Sequence, residues 1–189
     1  MPVLQLPKDV VAVQSGDKAY LFYLNSERKL TYLVSPNADG DGDYIQRRID
    51  DENGDDIVVN DKSTQIAAIG WDEPNGVFQI RVYYVAPKGN LSEVCWTSTD
   101  PRRWYQGSLG LKNKAPHYIA DGSPISATAY KRNINGQSRW SLRVFASGKD
   151  HFNDRDNPVI SVYMFDYNET GQNKGSWGSE QISNAVNKW

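Results

Sequence analysis

The feature that most constrains the fold is a unit of four short strand-like segments, which occurs three times along the chain. The segments are rich in β-branched and aromatic residues and end at Gly, Asn, Asp or Pro, whereas runs with helical periodicity are missing from the sequence. The units align with one another, since Tyr20–Tyr23 matches Arg81–Tyr84 and Ile80–Tyr83 matches Leu142–Phe145. A four-stranded unit that repeats at about this length is typical of a β-propeller blade.

We therefore predict an all-β fold, a β-propeller built of four-stranded blades, with three blades per chain and one domain over residues 1–189. The polar stretches between the repeats are predicted to connect neighbouring blades. The predicted order is blade one at 8–50, a connection at 51–63, blade two at 64–110, a connection at 110–122 and blade three at 123–184.

Three blades do not close a propeller ring, for which about four to eight blades are typical. The two end blades would each leave one aromatic face open, and stacked repeats need neighbours to cover such surfaces. The simplest solution is a homodimer that completes a six-bladed ring through the outer faces of blades one and three. The alternatives are a larger ring of three chains, or a closed monomer with a fourth unit that the sequence does not reveal.

Composition excludes several classes of function and location. The formal net charge of −2 argues against nucleic acid as the main partner, because phosphate binding needs a basic surface. No apolar stretch approaches the ~20 residues of a membrane span. The first residues lack a basic region and a long apolar run, so we expect a protein that is cytoplasmic or released without a signal peptide. The single cysteine, Cys95, excludes an intrachain disulfide and is expected to be buried.

The hairpin QIRVYYVAPKGNLSEVCW at 79–96, with IAAIGW before it and WYQGSLG after it, resembles one repeat of the fungal fucose-specific lectins, the family of the orange-peel mushroom lectin. The similarity is strong across roughly 64–110, moderate over 123–183 and weak over 9–50. Members of that family are six-bladed propellers with sugar sites between blades, usually with all six repeats in one chain. The resemblance implies a non-enzymatic lectin that binds fucose or a related monosaccharide on glycans.

In that family an Arg on the second strand of a blade and a Glu twelve residues later on the third strand bind the sugar, and Arg81 and Glu93 have this spacing. A guanidinium offers a fixed set of donors to sugar oxygens, and a carboxylate accepts from hydroxyls and would also hold the guanidinium in position. The family takes two aromatic residues from the following blade, which implies that Phe165 and Trp177 complete the site. The alternative is a cross-strand ion pair among core aromatics.

The same alignment assigns a second, degenerate site to the junction of blades one and two. Tyr20 and Tyr32 occupy the Arg and Glu positions of blade one, and they would face Trp96 and Trp104 of blade two. This arrangement keeps an aromatic platform and loses the charged groups that would bind the sugar. Trp96 is expected either to stack on a sugar or to fill the core.

Blade three has an incomplete set of binding residues. Arg143 matches Arg81, but Val162 occupies the Glu position and cannot accept a hydrogen bond from a hydroxyl. The following blade would be blade one of another chain, with Ser35 at the stacking position. We therefore expect one good site per chain.

The sequence contains no complete metal-binding or cofactor-binding motif. Residues 37–48 imitate a calcium loop, but the twelfth position is Arg48, where a bidentate Glu is required. His117 and His151 lie in predicted connections, without zinc-site spacing. The sequence predicts no metal and no cofactor.

Two other functional classes remain as alternatives. A propeller that acts as a platform for protein–protein interaction would need none of the sugar-binding residues. A sialidase-like glycosidase would need two carboxylates about 5–10 Å apart, whereas the predicted pocket supplies Glu93 alone. Pairing with Arg81 is expected to lower the pKa of Glu93, which is the wrong direction for a general acid.

Overall fold

The structure is a computed structural model that describes residues 7, 9–101, 103–110, 116–134, 136–152, 158–168 and 177–182. Over these residues the secondary structure consists of twelve strands, and no helix occurs among them. The all-β prediction is therefore confirmed. Within the same ranges no helix is long and apolar enough to cross a membrane.

The strands form three antiparallel sheets of four strands, each sheet arranged in chain order, as the three repeats predict. Blade one contains β1 (Val10–Ser15), β2 (Lys18–Leu24), β3 (Leu30–Val34) and β4 (Ile45–Arg48). Blade two contains β5 (Ile66–Asp72), β6 (Phe78–Val85), β7 (Leu91–Thr97) and β8 (Tyr105–Gln106). Blade three contains β9 (Ser126–Ile134), β10 (Gln137–Phe152), β11 (Pro158–Asn168) and β12 (Gly178–Gln181).

The core lies between the sheets, in two layers. Alternate residues of a strand point to opposite faces, so β6 sends Val82 toward blade one and Tyr83 toward blade three. The layer between blades one and two is centred on Phe22, Leu30, Ile80, Val82 and Val94, all fully buried. The layer between blades two and three is centred on Tyr83, Leu91, Leu142, Val144 and Tyr163. Blade two is therefore covered on both faces, as a propeller blade requires.

Two glycines allow blades one and two to approach closely. Gly16, in the turn between β1 and β2, has a φ of +63°, and a side chain there would overlap the ring of Phe78. Gly70 lies within β5, where a Cβ would meet the side chain of Val13 at 2.5 Å. These close approaches agree with the position of β1 beside β5, and β5 in turn lies beside β9.

The two predicted connections contribute buried residues to the core layers. Ile57 and Val59, in the stretch at 51–63, are buried in the first layer, and Val59 N–H donates to Arg28 O at 2.9 Å. Ile119, in the second connection, is buried in the second layer. Isolated apolar residues thus anchor these otherwise polar segments to the core, which their composition does not reveal.

Replacement of Phe22 by Ala tests the dependence of the fold on sheet-to-sheet packing. The ring is fully buried between blades one and two, so its removal should lower the free energy of unfolding by about 3–5 kcal/mol. Urea denaturation measures the change. Tyr118→Ala is the matched control, since that ring is 44% exposed and its loss should cost under about 1 kcal/mol. Equal effects of the two substitutions would contradict the assignment of the core.

Candidate functional site

Arg81 on β6 and Glu93 on β7 project from the same face of blade two, toward blade three. Arg81 is paired with Cys95, and Tyr83 is paired with Glu93, and residues paired across antiparallel strands share a face. Arg81 and Glu93 are therefore diagonal neighbours on that face. Each is only 4% exposed, although both are charged residues of a kind rarely buried without partners. Cys95 is buried beside them, as predicted.

The hydrogen bonds of Arg81 fix one end of its guanidinium group. Nη1 donates to Gln79 Oε1 at 3.1 Å, to the carbonyl oxygen of Ile80 at 3.0 Å and to that of Trp96 at 3.4 Å. All three bonds use the same nitrogen, so Nη2 and Nε keep their hydrogens for other acceptors. The strand geometry itself thus orients the donors, because two of the three acceptors belong to the main chain of the hairpin.

Two aromatic rings flank the Arg81 guanidinium. Its central carbon lies 5.1 Å from the centre of the Trp71 ring and 5.9 Å from that of Tyr105, distances at which a cation is attracted to the ring face. The expectation that Glu93 holds the guanidinium in position is wrong. The two side chains form no ion pair within 4.0 Å in the described part of the chain, because Arg81 turns instead toward the start of β6.

Glu93 is held by the segment that follows β8. Its Oε1 accepts from the main-chain N–H of Leu109 at 3.1 Å and from the hydroxyl of Ser108 at 3.4 Å. Gly107 lies directly against the carboxylate, and any side chain at that position would overlap it. The second oxygen, Oε2, is buried and has no hydrogen-bond partner. Such an unpaired buried acceptor is costly and indicates a role beyond packing.

Burial raises the pKa of Glu93, and this effect outweighs the opposing influence of Arg81 and of the N–H groups of Leu109 and Trp177. The sequence-based expectation of a lowered pKa is therefore wrong. It assumed a close ion pair, whereas Arg81 acts on Glu93 from a distance and the surrounding side chains remove water from the carboxylate.

Blade three brings Phe165 and Trp177 to the same interface. Their ring centres are 5.4 Å apart, and both rings are buried. The indole N–H of Trp177 donates to the hydroxyl of Ser108 at 3.1 Å, next to Glu93. Arg81, Glu93, Phe165 and Trp177 thus lie in one layer between blades two and three.

Sequence reasoning missed Tyr83, which lies directly opposite Glu93 in the hairpin. Its ring meets the edge of Trp177 with centres 6.0 Å apart, and its hydroxyl is buried without a hydrogen-bond partner. The interface therefore contains an unpaired hydroxyl as well as an unpaired carboxylate oxygen. The strand register that pairs residues 83 and 93 is the signal that could have revealed it.

The predicted degenerate residues also come together, between blades one and two. Tyr20 contacts Trp96 with ring centres 6.0 Å apart, and Tyr32 contacts Trp104 at 5.6 Å. Burial raises the pKa of both tyrosines, so both phenols stay neutral at ordinary pH. A cavity of about 820 Å³ opens beside this cluster. Sequence reasoning missed its polar lining, which includes Tyr32, Gln46, Arg47, Asp51, Arg103 and Trp104.

Comparison with known proteins found solved structures that are similar to this one, whereas no family model and no curated protein matches the sequence. A fucose lectin from Kordia zhangzhouensis, solved in complex with methyl-fucoside, is similar with a TM-score of 0.58 and 20% identity, over 92% of this chain and 99% of that one. The Aleuria aurantia lectin, a fungal lectin with a six-bladed β-propeller fold, is similar with a TM-score of 0.60 and 18% identity. The fold is that of the β-propeller fucose lectins.

Coverage differs between the two neighbours. The match spans 91% of this chain but 47% of the Aleuria lectin, so this chain has about half the length of that six-bladed propeller. The Kordia lectin chain is of similar length to this one, since nearly all of both chains align. Solved lectin structures that match this chain therefore occur with chains of both sizes.

The buried carboxylate gives the propeller a testable dependence of stability on pH. Because the pKa of Glu93 is raised in the folded state, folding favours the protonated carboxyl. The stability that this form contributes is fully present below the ordinary Glu pKa of the unfolded chain. That contribution is lost as the pH rises through the folded-state pKa. Glu93→Gln removes the charge and keeps the shape, so we expect it to be more stable than the wild type at pH 7, with a difference that shrinks toward pH 4.

Urea denaturation of both proteins between pH 4 and pH 8 measures this difference. Glu27→Gln is the matched control, since Glu27 is exposed in the turn between β2 and β3. A Glu93→Gln variant that is less stable than the wild type at pH 7 would show that the carboxylate supports the fold.

Proposed function

We propose that this chain is a non-enzymatic lectin that binds fucose or a related monosaccharide on glycans at the junction of blades two and three. The observation that carries the proposal is a buried carboxylate oxygen without a partner, close to an oriented guanidinium at that junction. Glu93 Oε2 is buried without a hydrogen-bond partner, and the three hydrogen bonds of Arg81 all use Nη1. A sugar hydroxyl both donates and accepts, so adjacent hydroxyls of one ring suit both groups.

Each residue has a distinct role in this proposal. Arg81 donates through Nη2 and Nε to ring and hydroxyl oxygens of the sugar, and Glu93 Oε2 accepts from a neighbouring hydroxyl. Phe165 and Trp177 cover the apolar C–H face, including the methyl group of fucose. Because all four side chains are buried, a sugar reaches Glu93 only after the aromatic rings of blade three move away from it.

The same interface opposes a glycosidase mechanism. Tyr83 lies opposite Glu93, as a tyrosine nucleophile with a carboxylate partner would. However, burial and the Glu93 charge raise the pKa of Tyr83 well above its usual value, which suppresses the nucleophilic phenolate. Among the described residues, the groups that interact with Glu93 include no second carboxylate, and glycoside hydrolysis requires two.

We further propose that two chains form a homodimer that completes a six-bladed ring. The support is the size of the chain relative to a six-bladed propeller, of which it spans 47%. The outer faces of blades one and three are the only blade faces without a neighbouring sheet in the described part of the chain.

Arg81→Ala tests the site. It removes the charged donors, each worth about 1.5–3 kcal/mol, so affinity for the preferred sugar should fall on the order of 100-fold. A glycan array followed by titration with methyl-fucoside measures it. Lys88→Ala, which removes an exposed charge from the turn of the same hairpin, should bind as the wild type does. Unchanged affinity of Arg81→Ala would refute the assignment.

Glu93→Gln separates binding from folding. The amide is a weaker acceptor and cannot complement Arg81, so affinity should fall by about tenfold or more, while stability at pH 7 increases. Loss of binding by a more stable variant excludes misfolding as its cause. Agglutination that no sugar inhibits would favour the protein-binding platform instead.

Native mass spectrometry at micromolar concentration tests the dimer. We expect a species of twice the 21.3 kDa chain mass, because the open faces of blades one and three need cover. A stable monomer that still binds sugar would disprove ring completion by two chains. A trimer would retain the repeats and indicate a larger ring.

A further inference from the structure

The cavity of about 820 Å³ opens on the side of blade two that faces blade one, opposite to the side that carries Arg81. Three walls form it: β4 of blade one, the segment before β8 of blade two, and an acidic turn at 50–56 that follows β4. Sites for small molecules usually have about 300–1,000 Å³, so the cavity has room for a small organic ligand.

Positive charge enters the cavity from both blades. Arg47 is paired with Tyr32 across β4 and β3, so it shares the face of that ring toward blade two, and Arg103 comes from the segment before β8. Both arginines are exposed, and neither forms an ion pair within 4.0 Å in the described part of the chain. Arg48 also lines the cavity, but it is paired with Asp56 at 3.3 Å. Arg47 and Arg103 are therefore the charges that remain for a ligand.

The carboxylates of the acidic turn are used within the protein. Asp51 Oδ1 accepts from the main-chain N–H groups of Asn53 at 2.8 Å and Asp55 at 3.0 Å, inside the turn. Glu52 Oε2 accepts from the main-chain N–H of Gln106 at 2.8 Å, on the edge strand β8. The turn thus bridges blades one and two and fixes one wall of the cavity before a ligand binds.

The same turn limits the charge that a ligand can carry. Five of the seven residues at 50–56 are acidic. A polymer with many anionic groups would place some of them against these carboxylates, and like charges repel. A ligand with a single anionic group avoids this repulsion when that group binds to Arg47 and Arg103. The cavity therefore suits a small ligand with one anionic group.

Two aromatic side chains form the floor of the cavity. Tyr32 and Trp104 meet edge to face with ring centres 5.6 Å apart, and both are buried. The indole N–H of Trp104 is buried as well and has no hydrogen-bond partner. An unpaired buried donor is costly unless a ligand supplies an acceptor. The floor thus offers an apolar surface and one donor.

We propose that this cavity binds a small organic anion, a sulfate or phosphate ester that carries one apolar ring. Arg47 and Arg103 bind the oxyanion from two blades, and each guanidinium can donate two parallel hydrogen bonds to it. The apolar ring of the ligand lies against Tyr32 and Trp104. This inference goes beyond the proposed function and does not depend on it, because none of these residues belongs to the Arg81 site.

Isothermal titration with phenyl sulfate and, separately, with phenyl phosphate tests the proposal and shows which oxyanion is preferred. We expect one ester to bind per chain, more tightly than the corresponding inorganic ion, because the aromatic floor adds to the affinity. Arg47→Ala and Arg103→Ala should each weaken binding about fivefold or more, and the double variant should abolish it. Lys88→Ala is the matched control, since it removes an exposed charge from the turn between β6 and β7 and should bind as the wild type does.

A sulfated polymer provides a further test of the ligand class. Heparin should bind no more tightly per sulfate group than phenyl sulfate, because the acidic turn repels a polyanion. Tighter binding of heparin would show that the arginines belong to a polyanion-binding surface, and it would overturn the proposal.

Failure of this inference is distinct from failure of the lectin assignment. If neither ester binds to the folded wild type, the cavity has no such ligand, whereas the sugar site is unaffected. Equal losses in Lys88→Ala and in the arginine variants, or inorganic ions that bind as tightly as the esters, would also overturn the inference, because both indicate attraction to surface charge alone. Arg47→Ala and Arg103→Ala should keep the wild-type affinity for methyl-fucoside. A loss of that affinity would assign the cavity to sugar binding and contradict the proposal.

Discussion

The structure depends on one constraint, that a four-stranded sheet which is apolar on both faces must be covered on both faces. Sheet-on-sheet contact supplies most of the two core layers, each of which lies between neighbouring blades. Blade two satisfies the constraint within the chain. Blades one and three satisfy it on one side only, so the number of blades, rather than any single contact, governs how the chain assembles.

Burial of charged groups inside such a layer costs free energy, and the structure compensates the two charged groups unequally. Arg81 is compensated by carbonyls and by the rings of Trp71 and Tyr105, whereas Glu93 keeps one oxygen without a donor. The junction of blades one and two shows the alternative, since tyrosines replace both charges and pack against other aromatic rings. A buried group that costs stability and lacks a hydrogen-bond partner is expected where a ligand supplies that partner.

The sequence was sufficient for the strands, the three repeats and the meeting of Arg81 and Glu93 with the aromatics of blade three, because these follow from alternation and register. It was insufficient for the partners of Arg81, which depend on the direction that a long side chain takes. It also failed for the pKa of Glu93, where burial and a distant positive charge compete.

The two junctions within the chain differ because repeats in a propeller interact with their neighbours alone, so one junction can change without disturbing the other. A single monosaccharide site binds weakly by itself, since the small area that it buries must offset the entropy of association. Tethered sites raise avidity by about 10²–10⁴ when one glycan surface reaches several of them. A half-propeller that dimerises obtains every junction twice from one sequence. In the proposed dimer, the closure that covers the open faces of blades one and three would also multiply the proposed sites, so one requirement of packing would serve recognition.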